Sequence, residues 1–448
     1  MLTPGIIPHT EPRLRVGIVL PQDNFTSISL ITPTKYDYQI EHQGKRHTPG
    51  HSMEILFKLQ QNHIEFRLDN SVFLAEEEII LKPVQEKTTL SPQDGVIVKN
   101  VISGRDFHWK KQIDVYLPGT VIIRRHEKNL LVINELPIEH YLMCVATSEM
   151  GATCPPALIE AQTIAARSWM LANVELKHIK LTMDVCNDDC CQRYQGTTFL
   201  SDQSVQGALN TYGKVLIYED QICDARYSKS CGGVMESFDA IWGGTNPPYF
   251  QVKADAAEEP MEWIKPLSEE AHFRRWVKSR PMTFCSPWIV PEKELKKYLG
   301  SVDEEGTYFR WEEQITQEEL TQNINHFHSL GAKAIVNLEV LNRGGSGRIN
   351  RLAVEYLDAN DEHQILLLQS DFSIRQSLHP KFLYSSALLI YPVMGESDLP
   401  ELFRYQGAGW GHGAGLCQIG ALGMALQNYS SEQILQHYYP GSELKKIY

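Results

Sequence analysis

No apolar run in the chain approaches the length of about eighteen residues that a membrane helix needs. The opening MLTPGIIPHTEPRLRVGIVL has no basic stretch followed by a long apolar one, so no signal peptide is visible and no membrane span is expected. A basic excess is also missing. The formal net charge is −13, which argues against a surface built for unspecific nucleic-acid binding. There is no internal repeat and no low-complexity tract, so the chain reads as folded lobes rather than an array or a disordered linker. An even set of cysteines is lacking too: nine in a long chain do not read as a disulfide framework.

What is present is ordinary globular composition over 448 residues, with 42% hydrophobic and 22% charged residues. That length supports two or three lobes with their own cores. The fold class expected is α+β: a mixed, strand-rich core with a helical segment carrying the chemistry and a helical insertion lobe. Four regions are expected. They are a strand-rich region 1–114, a core part 115–255, a charged helical insertion 256–334, and a second core part 335–448 with a glycine-rich motif. RLRVGIVL, TSISLIT, VIVKNVI and TVIIRR are short β-branched runs separated by polar turns. NLEVLNRGGSGRINRLAVEYLDANDEHQILLLQ predicts a three-strand meander turning at GGSG and DAND, with a short helix from Ser370. Near the end, Ser430 with Gln433 three residues on is a capping box.

Two helices stand out. IEHYLMCVATSEM, with Pro137 suited to its first turn, has an apolar stripe of Ile138, Leu142 and Val145 that Glu149 continues. A carboxyl on such a stripe, near a helix C-terminus, is expected to be held towards its protonated form by burial and by the helix dipole. That is the state a general acid at a glycosidic oxygen needs. The bland alternative is a glutamate at a frayed end reaching solvent. The second helix, PPALIEAQTIAARSWMLANVELK, sets Leu158, Ala161, Ala165, Ser168, Ala172 and Leu176 on one narrow face.

His178 precedes the cluster CNDDCC, which contains Cys186, Cys190 and Cys191. Histidine and cysteine at such spacing suit zinc in a closed structural site; free thiols or a strained disulfide are the alternative. No organic cofactor is indicated. Glycines at 407, 409, 411, 413 and 415 alternate, so that an extended segment would show Trp410 and His412 on one face. Cys231 in YSKSCGG reads as a thiol nucleophile or, more simply, as a small buried residue in a glycine turn.

Four segments in order carry a resemblance to a known family. They are LLVINELPIEHYLMCVATSEM with EAQTIAARSWML, then CQRYQG, then SCGGVMES, then GWGHGAGLCQIGALGMA. Together they resemble the stage II sporulation protein D and amidase-enhancer family over roughly 115–255 and 335–448. The resemblance implies a peptidoglycan lytic transglycosylase, a lyase cutting between N-acetylmuramic acid and N-acetylglucosamine, with strands stripped of stem peptides as substrate. It places the catalytic acid on Glu149 and suggests Gln162, Arg167, Gln192, Tyr194, His412 and Gln418 as substrate-binding residues. Some members hold zinc where His178, Cys186, Cys190 and Cys191 stand here. The implied partners are glycan strands and a cell-wall amidase, and the implied location is the cell envelope or periplasm. A non-catalytic enhancer of an amidase is the second reading.

Overall fold

The computed structural model describes residues 2–105, 110–172, 174–188, 190–299, 307–396 and 398–448. The chain divides into two compact units, Met1–Asp224 with Leu444–Tyr448, and Ala225–Glu443. Both mix strands and helices, so the fold is α+β. Among the described residues no helix is long and apolar enough to cross a membrane.

The first unit is built on two large sheets. One runs in the order Val185–Cys186, Arg13–Val19, Asn129–Pro137, Thr120–His126, Glu78–Pro83, Tyr38–His42, Lys45–His47. The other contains Lys111–Leu117, Val96–Ser103, Ser27–Ile31, Glu54–Gln60, His63–Leu68 and Ser71–Ala75. All four sequence-predicted β runs are strands. Asn129–Pro137 pairs on one side with Arg13–Val19 and on the other with Thr120–His126, and five consecutive residues of it, 130–134, are buried. Burial on both faces explains its unbroken apolar spelling.

That strand runs directly into helix α1, Ile138–Glu149. Pro137 is the cap residue rather than part of the first turn. No side chain of its own caps the helix. The exposed first amides are satisfied from afar: Ile138 N–H donates to the Pro12 carbonyl at 2.9 Å and Glu139 N–H to the Glu11 carboxylate at 3.1 Å. The expected stripe is buried, but so is nearly every other position of α1; only His140 and Glu149 are not fully enclosed. Helix α2, Pro156–Ala172, ends before the expected Lys177. Asn173 lies outside the described residues, and Leu176 has a left-handed φ of 47°. Its small-residue face admits neighbours closely. The Ser168 hydroxyl accepts the Leu216 N–H at 2.9 Å, and a Cβ on Gly207 of helix α3, Asp202–Asn210, would lie 2.7 Å from Ile159.

At the centre of this packing is a buried ion pair. Arg167 of α2 is 0% exposed and donates from Nε and Nη2 to both oxygens of Glu139 of α1, at 2.9 and 2.6 Å. The same guanidinium reaches the Lys214 carbonyl at 3.0 Å. Glu139 also accepts the Gly213 N–H and the Tyr448 hydroxyl.

The second unit holds a three-stranded sheet of Arg310–Thr316, Pro400–Ala408 and Leu388–Met394, with Pro400–Ala408 in the middle. The expected meander is Ala334–Arg343, Ile349–Leu357 and His363–Leu368. Its turns are those the sequence named: Gly347 has φ 86°, and Asp358 Oδ1 accepts the N–H groups of Asn360 and Glu362. A helix at Asp371–Leu378 follows, and Ser430 with Gln433 forms the expected box at Ser431–Tyr438. The charged stretch 256–334 contains helices Glu270–Lys278, Glu292–Leu299 and Gln317–His328. It also supplies strand Arg310–Thr316 to the sheet, while its residues 300–306 lie outside the described residues.

One expectation needs correction. The glycine segment is not extended, because Gly409, Gly411, Gly413 and Gly415 all have φ between 71° and 96°. The alternation serves left-handed turns that only glycine adopts without strain. Trp410 packs on Tyr308 and Tyr384, whereas the His412 ring packs on Trp242, so the two do not form a common strand face.

Replacing Arg167 by Met leaves the Glu139 carboxylate buried without its charge partner. The unfolding free energy in denaturant titrations is expected to fall by about 3–5 kcal/mol. In the double variant with Glu139→Gln the loss should be smaller than the sum of the single losses. A change under about 1 kcal/mol in Arg167→Met would sink this assignment.

Candidate functional site

Glu149 is the last residue of α1, half-buried, and the chain turns extended at Met150. Its Oε1 accepts the backbone N–H of Arg193 at 3.0 Å. Arg193 belongs to CQRYQG, and the side chains around it explain why its amide is fixed. Tyr141 of α1 stacks on Tyr194 with ring centroids 5.1 Å apart and donates its hydroxyl to Gln192 Oε1 at 3.0 Å. Gln192 Nε2 donates to the Ala166 carbonyl of α2 at 3.2 Å. Tyr194 donates to Asn134 Oδ1 at 2.5 Å, and Asn134 Nδ2 reaches the Pro118 and Thr120 carbonyls. The loop is thereby fastened to both helices and to the central strand. Burial first, then the nearby Cys191 and Glu149 charges, hold the Tyr141 phenol well above its ordinary value, so it acts as a donor throughout the ordinary pH range.

Four of the suggested substrate-binding residues lie in the interior. Gln162, Arg167, Gln192 and Tyr194 are buried, three of them in the hydrogen bonds just given. Gln192 and Tyr194 fasten the loop that carries the Arg193 amide, and Arg167 pairs with Glu139. Gln418, at the start of the helix Gln418–Leu426 in the second unit, is buried as well. Sequence reading passed over Tyr141, Asn134 and the Arg193 amide. All three lie inside the motifs, Asn134 and Tyr141 in LLVINELPIEHYLMCVATSEM and Arg193 in CQRYQG, and that position was the signal available.

His178, Cys186, Cys190 and Cys191 come together, with their ligand atoms all within 4.8 Å of one another. Cys190 Sγ lies 3.1 Å from Cys186 Sγ, 4.0 Å from Cys191 Sγ and 3.9 Å from His178 Nε2. Adjacent Cys190 and Cys191 share the site because a turn closes beneath them, with Cys191 N–H donating to the Asp188 carbonyl at 2.9 Å. Asp188 is pinned in turn: its carboxylate accepts the N–H groups of Gly104 and Arg105 and pairs with the Arg105 guanidinium at 3.1 Å. A four-coordinate zinc with sulfur ligands at about 2.3 Å would set neighbouring sulfurs about 3.8 Å apart. Three thiols and one imidazole gathered here could hold a metal ion, with the Cys186–Cys190 pair shorter than that edge.

In the second unit, His412 Nδ1 accepts the Ala414 N–H at 3.1 Å, and its ring lies 4.8 Å from that of Trp242. Trp242 is 37% exposed, with the Arg226 guanidinium 4.2 Å over its face. Glu236 of SCGGVMES is fully buried and accepts from Ser346 and from the Gly345 and Ser237 amides. Cys231 is 3% exposed, which removes it as a nucleophile for a polymer substrate.

Burial, followed by the Arg226 charge and those of Arg348 and Arg375 against a single opposing Asp371, lowers the His412 pKa from 6.5 to about 3. A lowered histidine pKa means the unfolded chain takes up a proton that the folded one refuses. Stability tied to this group is therefore undiminished above pH 6.5 and falls as the pH drops towards 3. Relative to His412→Asn, which can still accept the Ala414 N–H, the wild type should lose at most about 1.4 kcal/mol per pH unit in that window, less whatever solvent screens at this half-buried ring. Parallel pH profiles of unfolding for the two proteins would refute it.

The chain is similar to two family models and to several known proteins. Residues 126–218 match the family model described as Stage II sporulation protein, and residues 236–415 match a Domain of unknown function (DUF8618). The amidase enhancer of Bacillus subtilis (strain 168) is 26% identical over 308 residues, covering 67% of this chain but only 39% of that protein. The stage II sporulation protein D of the same organism is 22% identical over 331 residues, covering 70% of this chain and 76% of its own length. An uncharacterized protein of Brachyspira hyodysenteriae is 22% identical over 416 residues, 92% of this chain and 91% of that one. Residues 126–218, which hold the first two of the four motifs, are thus similar to the stage II sporulation protein D and amidase-enhancer family.

Proposed function

We propose that the protein acts on the cell wall as a peptidoglycan lytic transglycosylase with Glu149 as its single acid/base. The observation that carries this reading is a half-buried carboxyl at the end of a buried helix, held in place by the Arg193 amide within a rigid frame of hydrogen bonds. In its protonated form Glu149 gives its proton to the oxygen joining C1 of the muramoyl sugar to N-acetylglucosamine. The C1–O bond breaks through an oxocarbenium-like state. The carboxylate then takes the proton of the muramoyl C6 hydroxyl as that oxygen bonds to C1. The acid is restored and a 1,6-anhydro end is left. One carboxyl serves both steps because the nucleophile belongs to the substrate, unlike the paired carboxylates of ordinary glycosidases. His412 beside exposed Trp242 is a further candidate for a sugar contact. The cell envelope is the location this chemistry requires.

Glu149→Gln keeps the acceptor for the Arg193 N–H but cannot exchange a proton. On denuded glycan strands it should lower release of 1,6-anhydromuramoyl products at least about a thousandfold, within the range general acid–base catalysis supplies, with unchanged thermal unfolding. Undiminished release, read by mass spectrometry, removes Glu149 from the mechanism. The similarity to an amidase enhancer favours a second reading, a wall-binding protein that stimulates an amidase. It predicts no anhydro ends from the wild type and a faster amidase when the two are mixed.

We assign zinc to His178, Cys186, Cys190 and Cys191 as a structural ion, with no step of the reaction passing through it. Its work is to hold the turn from which Arg193 reaches Glu149. Cys186→Ser should remove one equivalent of zinc per chain by elemental analysis and lower turnover, and an unchanged zinc content would end the assignment.

A further inference from the structure

A second set of ligand-type side chains lies wholly in the unit Ala225–Glu443, far from any motif spacing that announces a metal. Cys231, Asp255, Cys285 and Cys417 bring three sulfurs and one carboxylate oxygen within 4.8 Å of one another. They are 3%, 0%, 3% and 1% exposed. Cys231 Sγ is 3.7 Å from Cys285 Sγ and 3.5 Å from Asp255 Oδ2. A tetrahedral zinc with sulfur at about 2.3 Å and oxygen at about 2.0 Å puts sulfur pairs about 3.8 Å and sulfur–oxygen pairs about 3.5 Å apart. The observed separations match these edges, and the sulfurs are much too far apart for a disulfide, whose bond is about 2.0 Å.

The surroundings fit ligands rather than spare thiols. Asp255 is a carboxylate with no exposure, and such a group needs counter-charge or hydrogen bonds. Its Oδ1 accepts the Tyr438 hydroxyl at 2.8 Å and lies 3.4 Å from His437, which leaves Oδ2 turned towards Cys231. Carboxylate ligands are commonly oriented by such partners. Cys417 Sγ accepts two backbone N–H groups, from Cys231 at 3.2 Å and Gly420 at 3.3 Å, and caps the helix Gln418–Leu426 at its positive end. Those are the conditions that stabilise a thiolate. Glycine at 420 leaves the space: a Cβ there would stand 2.4 Å from Asp255 Oδ2 and 2.3 Å from the Tyr438 oxygen. Three thiolates and one carboxylate leave a complex with excess negative charge. Arg310, which donates to the Gly232 carbonyl at 2.9 Å and interacts electrostatically with Cys231 and Cys285, offsets it.

We infer that Cys231, Asp255, Cys285 and Cys417 form a second, closed zinc site that ties the SCGG turn, the loops at Asp255 and Cys285, and the helix after the glycine segment into one unit. Thiolate-rich donors favour zinc over hard cations, and four protein ligands in a buried position leave none for water. The site is structural and independent of the reaction proposed for Glu149.

The test uses the full chain purified without chelator. Elemental analysis should give two zinc ions per chain, falling to one in Cys285→Ser and in Asp255→Asn, and to none when either is combined with Cys186→Ser. Wild-type crystals should give a zinc-edge anomalous peak bonded to the three sulfurs and Asp255, a result that stands even where the variants fail to fold. Zinc-loaded crystals with no peak there overturn the inference. So does a disulfide between Cys231 and Cys285, or a zinc content that Cys285→Ser leaves unchanged in a folded protein.

Discussion

The Glu139–Arg167 pair is the contact on which the first unit depends. A fully buried guanidinium and carboxylate are tolerable only when every lone pair and proton is used. Here the neighbours complete the set: the Lys214 carbonyl takes a guanidinium proton, and the Gly213 amide and Tyr448 hydroxyl fill the carboxylate. The pair therefore fixes α1 against α2 and against the turn that begins strand Lys214–Tyr218. Glu149 stands at the far end of the same α1, so the geometry of the proposed acid is inherited from a charge pair nearly three turns away.

A second fixing point acts from the other side. Asp188, gripped by two amides and by Arg105, shapes the turn that presents Cys190 and Cys191 and then leads through Gln192 to the Arg193 amide. Arg105 is itself held by Asp23 and by the Ile18 carbonyl. Buried polar side chains thus do the positioning around Glu149 that a larger apolar core could not do with the same directional accuracy.

Local signals in the sequence were read well where the cause is local. The β-branched runs, the meander turns at Gly347 and Asp358, and the Ser430 box each depend on a few neighbouring residues. The glycine alternation from 407 to 415 misled because period-two spacing is shared by an extended strand and by a chain of left-handed turns. The burial of Arg167, Gln192 and Tyr194 was not legible for a different reason: a polar residue in a motif looks the same whether it touches a ligand or satisfies buried backbone. The cluster at Cys231 gave no signal, since Asp255, Cys285 and Cys417 lie 24, 54 and 186 residues from it in the chain. The first cluster was legible because its four ligand-type side chains fall within a short loop.

The unit Ala225–Glu443 interrupts the chain of its host between Asp224 and Leu444. Its two ends are tied to each other inside it: the Tyr439 hydroxyl donates to the Arg226 carbonyl at 2.7 Å across 213 residues of chain. The host needs its return segment, because Ile447 N–H pairs with the Gly213 carbonyl and Tyr448 completes the Glu139 acceptor set. Left unfolded, the insert would be a long loop whose closure opposes that return. Folded, it acts as a short hairpin-like link. Folding of the insert therefore lowers the entropic cost of the host's return segment, so the stability of the insert adds to that of its host.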